Sequence, residues 1–172
     1  APHLDTVEKA FDLLAEAVAK AGFKLGRDVC FAADVASSEF YDAKRKKYVF
    51  RAEGVEMDRE QLMARYAGWM EKYPFESIED PFAEDDWESW QEALPMFEGN
   101  EVRVVGDDLL VTNVERLRRA IDEQAANTIL IKLNQIGTLT ETVDAIKMAH
   151  EAGWATSISH RSGETADTTI AD

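Results

Sequence analysis

Cys30 is the only cysteine in this sequence. No intramolecular disulfide can form, which suits a reducing, cytoplasmic compartment. Its setting, Val29-Cys30-Phe31-Ala32, reads as that of a buried small hydrophobe. No apolar run reaches membrane-spanning length and no secretory leader is read, although the chain begins Ala-Pro-His rather than with Met. There is no Gly-rich phosphate fingerprint of the dinucleotide or P-loop kind. Positive charge is also short: 19 Lys and Arg against 34 Asp and Glu leave a formal net charge of -15. That field repels nucleic-acid backbone and anionic membrane, so neither is expected as a partner. A small anion could bind only where local positive charge or a metal overrides it. Elsewhere the charge reads as a solvated acidic surface.

The composition is otherwise that of a soluble globular protein, and 172 residues suffice for one compact domain. Neither a linker, a low-complexity tract nor a second domain is read. Asp5 and Glu8 suggest a capping box for a first helix whose apolar face is Val7, Phe11, Leu14 and Val18, stopped at Gly22. Val29 to Ala33 reads as a short buried strand ending at Asp34. Phe40 to Phe50 reads as a hairpin around the basic turn Lys44-Arg45-Lys46-Lys47, which reads as a solvated tip, the alternative being a phosphate or nucleic-acid patch. Helices are predicted from Asp58, with Gln61 as capping partner, from Trp87 to Phe97 with Pro95 weakening the last turn, from Asn113, and from Thr138 with Glu141. Between them fall strands at Phe75 to Ile78, Val102 to Val105, Thr128 to Ile131 and Ala155 to Ile158, and a last helix is predicted from Thr165. This alternation predicts an α/β protein with about five parallel strands and helical crossovers. A full (β/α) barrel has eight strands and typically about 250 residues, so the pattern predicts a partial TIM-type barrel.

Parallel barrel strands point their C-terminal ends at one face. Asp34, Glu79, Asp107, Lys132 and His160 each sit at or just beyond such an end. An acid there often only caps the next helix, and that reading stays open for Asp107 or Asp108 taken alone. Three converging carboxylates without Cys or paired His suit a hard divalent cation such as magnesium. Glu79-Asp80 and Asp107-Asp108 are ambiguous pairs whose members face opposite ways; the first of each is expected as ligand. Lys132 follows an apolar strand, where burial or a neighbouring cation favours the neutral amine, a general base. Structural pairing with a carboxylate is its other reading. Arg161 offers a planar fork for phosphate or carboxylate, Ser162 a hydroxyl donor and His160 a further donor. His3 and His150 read as surface residues.

Five stretches together resemble enolase, in the order of that family: Asp34 to Phe40, Ser77 to Trp87, Gly106 to Leu109, Lys132 to Leu139, and Ser159 to Thr165. The resemblance runs nearly end to end. It implies a lyase of glycolysis and gluconeogenesis that interconverts 2-phosphoglycerate and phosphoenolpyruvate with Mg2+, in a cytoplasmic homo-oligomer, a dimer, with cell-surface or secreted occurrence also seen in the family. It implies that Asp34, Glu79 and Asp107 hold the metal and that Lys132 takes the C2 proton. It also implies that Arg161 and Ser162 hold the phosphate, with Ser159 and His160 in the same substrate loop. Ser159 to Thr165 argues against a relative acting on another carboxylate, because phosphate recognition is the specific part. The family's N-terminal domain, first two barrel strands with the acid-bearing segment, lid loops and last strand with a second lysine have no counterpart in the chain. Residues 1–172 are therefore expected to be an incomplete barrel domain, inactive alone. The alternative is a catalytically silent segment with a binding or structural role.

Overall fold

The computed structural model describes residues 4–159. Its contacts divide the chain into two compact units, Ala1–Ala33 with Glu39–Ser77, and Asp34–Ser38 with Ile78–Asp172.

In the first unit, helix α1 spans Val7–Lys20. Its N-cap is Thr6, whose hydroxyl accepts the Lys9 amide, and not the expected Asp5. Asp5 instead pairs with the Lys9 ammonium. Glu8 is engaged far along the chain, accepting from the Arg65 guanidinium at 3.0 Å and from the Trp69 indole at 2.6 Å. Phe11 is the one fully buried residue of α1, and Leu14, expected on the same face, is exposed. Phe11 meets the rings of Trp69, Tyr73 and Phe75, each 5.2 Å away by centroid. Gly22, at φ 85°, ends the helix in the left-handed region that glycine enters without penalty. Strand β1, Phe31–Asp34, begins one residue after Cys30, and Phe31 takes the buried side. Cys30 is therefore exposed, contrary to the expectation from its apolar neighbours.

The hairpin is β2, Tyr41–Asp42, and β3, Lys47–Phe50, and a third antiparallel strand, β4, Val55–Met57, extends it. Its tip is not a bare cationic patch. Arg45 pairs with Glu56, and Lys47 with Asp58 at 3.1 Å. The capping box predicted for helix α2, Arg59–Lys72, forms between Asp58 and Gln61, with both bonds at 3.0 Å. Leu62, Tyr66 and Trp69 are its buried face. Strand β5, Phe75–Glu79, leads into the second unit.

There, helix α3, Trp87–Gly99, continues past Pro95, held by the buried Leu94 and Phe97. Strand β6, Arg103–Gly106, is followed by helix α4, Val114–Asp122, capped as predicted by Asn113. Strand β7, Thr128–Ile131, is buried along its whole length, as a central parallel strand covered on both faces should be. The short helix α5, Leu133–Ile136, was not predicted. Helix α6, Leu139–Glu151, is capped by Thr138, and strand β8, Ala155–Ile158, follows. The last predicted helix lies outside the described residues. The parallel sheet runs β1-β5-β6-β7-β8, with helices flanking it. No helix among the described residues is long and apolar enough to cross a membrane.

Candidate active site

The parallel sheet delivers its polar residues at equivalent points. Asp34 ends β1 and Glu79 ends β5, while Asp107, Lys132 and Ser159 each follow directly on β6, β7 and β8. All five line one cavity of about 460 Å³, together with Leu130 and Ile158. Asp107 and Lys132 form an ion pair, with side chains only 11% and 12% exposed. The second oxygen of Asp107 accepts the Gln135 amide at 2.9 Å.

The loops that carry these residues are tied to one another in sequence around the sheet. From the β1 loop, the Ser37 hydroxyl donates to the Pro81 carbonyl at 2.8 Å, and the Ser37 amide to the Asp80 carbonyl at 3.2 Å. Ser38 accepts the Glu84 amide at 3.0 Å. From the β5 loop, the Asp80 carboxylate accepts the amides of Asp107 and Asp108. From the β6 loop, the Thr112 hydroxyl accepts the Lys132 amide at 2.9 Å. Arg116 adds a strap, donating to the carbonyls of Leu109 and, at 3.0 Å, Glu84. Gly106 permits the turn that carries Asp107, because a Cβ there would lie 2.8 Å from two Leu110 side-chain carbons.

Electrostatics set these acids apart. Burial, reinforced by the charges of Asp34, Asp107 and Asp80 and opposed by Lys132, pushes the Glu79 carboxyl up to about 7. Asp34 is raised as well, first by lost hydration and then by Asp107, against the amide of Ala36 and the charge of Lys132. Burial pushes Asp80 up to about 7 even though two backbone amides favour its anion. Asp34, Glu79 and Asp107 with a single ammonium would leave two net negative charges in one cavity if all ionised. A proton on Glu79 relieves that, and so would a cation.

Among the described residues, one set of three carboxylates gathers its oxygens closely enough to hold a metal, and a second, the expected one, lines the cavity. Oxygens of Asp80, Asp107 and Asp108 lie within 4.8 Å of one another, whereas Asp34, Glu79 and Asp107 share the cavity wall. Asp80 is only 2% exposed and spends both oxygens on backbone amides, so its evident work is to hold the Asp107 loop. The cavity set offers only oxygen ligands, which fits a hard divalent cation.

The family model "Enolase, C-terminal TIM barrel domain" matches residues 1–172. The chain belongs to the enolase family. Its catalytic barrel domain accounts for the convergence just described, since barrel active sites form at the C-terminal ends of the strands. Of the residues singled out from the enolase-like motifs, Asp34, Glu79, Asp107, Lys132 and Ser159 come together. His160, Arg161 and Ser162 lie outside the described residues, as does His3. His150 is exposed, its ring 3.3 Å from the Thr156 hydroxyl. Thr112 and Gln135 escaped the sequence reading. Gln135 lay within the enolase-like stretch after Lys132 and could have been noticed there; Thr112 carried no signal.

Proposed function

We propose that this chain supplies the metal-binding and proton-abstracting part of an enolase active site, for the magnesium-dependent, reversible dehydration of 2-phosphoglycerate to phosphoenolpyruvate. The observation that carries this reading is the meeting of Lys132 with Asp34, Glu79 and Asp107 around one cavity. Asp34, Glu79 and Asp107 are the metal ligands. Bound there, magnesium supplies positive charge against the substrate carboxylate, where negative charge grows as C2 loses its proton. Lys132 accepts that proton as the free amine, and its contact with Asp107 keeps the side chain at the cavity wall. Ser159 and His160 belong to the substrate loop, with Arg161 and Ser162 binding the phosphate through charge-assisted hydrogen bonds. The setting is glycolysis and gluconeogenesis in the cytoplasm, in a homo-oligomer.

In the full-length parent enzyme, proton removal can be read by itself, as exchange of the C2 hydrogen of 2-phosphoglycerate with solvent deuterium in the presence of magnesium. Lys132→Ala should lower exchange by about 10²–10⁴-fold while magnesium binding persists. Alanine at Asp34, Glu79 or Asp107 should abolish magnesium binding measured by calorimetry. Undiminished exchange in Lys132→Ala removes the base assignment. Unchanged magnesium affinity in Asp107→Ala transfers that ligand to Asp108.

A further inference from the structure

Lys132 is held at both ends by one closed set of hydrogen bonds. Its backbone amide donates to the Thr112 hydroxyl at 2.9 Å. That hydroxyl stands 2.9 Å from the Gln135 side-chain oxygen and 3.3 Å from the Leu130 carbonyl, with one proton to give. The Gln135 side-chain amide donates to Asp107 at 2.9 Å, and the other Asp107 oxygen takes the Lys132 ammonium. The orientation of the Gln135 amide follows from its partners. An ionised carboxylate only accepts, so the nitrogen must face Asp107 and the oxygen must face the Thr112 hydroxyl.

Holding this arrangement costs the backbone. Val111 and Thr112 lie consecutively in the left-handed region, at φ 43° and 54°. Both are β-branched, a class for which that conformation is an outlier. Strain of this kind persists where surrounding structure over-determines it, and it gathers at functional sites. Thr112 is fully buried, and its hydroxyl closes the ring. Gln135 sits on α5, whose end is fixed by Gly137 at φ 97°. Neither Thr112 nor Gln135 lines the cavity.

We infer that Thr112 and Gln135 are positioning residues that orient the Asp107 carboxylate for metal and the Lys132 amine for its proton, acting as one unit. This rests on the reading of Asp107 as a metal ligand. Asp107 keeps lone pairs for a cation while accepting from Gln135, since a carboxylate offers about four acceptor sites. Partners that orient a ligand in this way typically govern metal affinity by about 10–100-fold.

The test is magnesium titration calorimetry, carried out well below each variant's melting temperature, on wild type, Asp107→Ala, Thr112→Val, Gln135→Leu, the Thr112→Val/Gln135→Leu double variant and Thr112→Ser. Thr112→Val and Gln135→Leu should each weaken magnesium binding by about 10-fold or more. The double variant should be no worse than the weaker single, because both changes open the same ring. Thr112→Ser, which keeps the hydroxyl, should bind as wild type does; a merely structural effect of side-chain loss would show neither this rescue nor the non-additivity. If Thr112→Val fails to fold, Gln135→Leu, at a half-buried position, decides the matter alone. Wild-type affinity in Gln135→Leu, with binding lost in Asp107→Ala, overturns the inference and leaves the metal reading standing. Losses that add in the double variant also overturn it. Absence of Asp107-dependent magnesium binding in wild type overturns the metal reading, and this inference with it.

Discussion

The carboxylate of Asp80 grips the backbone of Asp107: one oxygen accepts the Asp107 amide at 3.0 Å, and the other accepts the Asp108 amide at 2.9 Å. Asp80 is buried and its φ of 43° is left-handed, a region that Asp enters more readily than most residues. The acid beside a proposed ligand on one strand thus sets the position of a proposed ligand on the next.

Asp80→Asn should therefore destabilise the protein without changing side-chain volume. One acceptor oxygen becomes an NH2 facing a backbone donor, and one buried amide loses its partner. The expected cost is about 1–3 kcal/mol, read as a lower midpoint in urea. Magnesium affinity should fall with it. An unchanged midpoint would mean that the two amides have another partner.

Gly106 and Gly68 should respond to alanine in opposite directions. At Gly106 a Cβ would approach two side-chain carbons of the fully buried Leu110 to 2.8 Å, so Leu110 would have to shift within the core. Gly106→Ala should cost about 1–3 kcal/mol and disturb the adjacent Asp107. Gly68 lies within α2 with nothing within 4 Å of its Cβ position. Gly68→Ala should stabilise by about 0.5–1 kcal/mol through helix propensity. Thermal melts of the two variants settle the contrast, and equal shifts of the same sign would contradict it.

Stability should depend on pH in the direction set by Glu79 and Asp80. Both carboxyls are pushed up to about 7, above unfolded values of 4.5 and 3.8. The folded state holds these protons more tightly, so their stabilisation is complete below the unfolded values and is lost as pH rises through about 7. Without metal, the melting temperature should fall between about pH 5.5 and about pH 8. Magnesium needs the ionised carboxylates, so the rise in melting temperature that it produces should be larger at the higher pH. Glu79→Gln should flatten both trends. A metal-free melting temperature that climbs across this interval would count against the desolvated acids.

The strand-end acids and Lys132 were legible because each lies at the close of a short apolar run, and the repeating strand-helix pattern sends all such ends to one face. Local chemistry was legible too. The Asp58–Gln61 box and the Asn113 and Thr138 caps need only residues three positions apart. The same logic failed at Asp5 and Glu8, because Arg65 and Trp69, about sixty residues away, claim the Glu8 carboxylate. It failed again at Cys30, whose apolar neighbours suggested burial, whereas Phe31 takes the buried side.

By itself the sequence determined the α/β alternation, the family and the acids and lysine gathered at the strand ends, since all of these follow from periodicity and short motifs. Tertiary structure decided which carboxylate of each acidic pair meets the cavity, which one grips a neighbouring loop, and that Thr112 and Gln135 close a ring around Lys132. Those outcomes depend on hydrogen bonds between loops some 20 to 50 residues apart in the chain. They depend equally on the loss of water around each carboxylate, which no local pattern encodes.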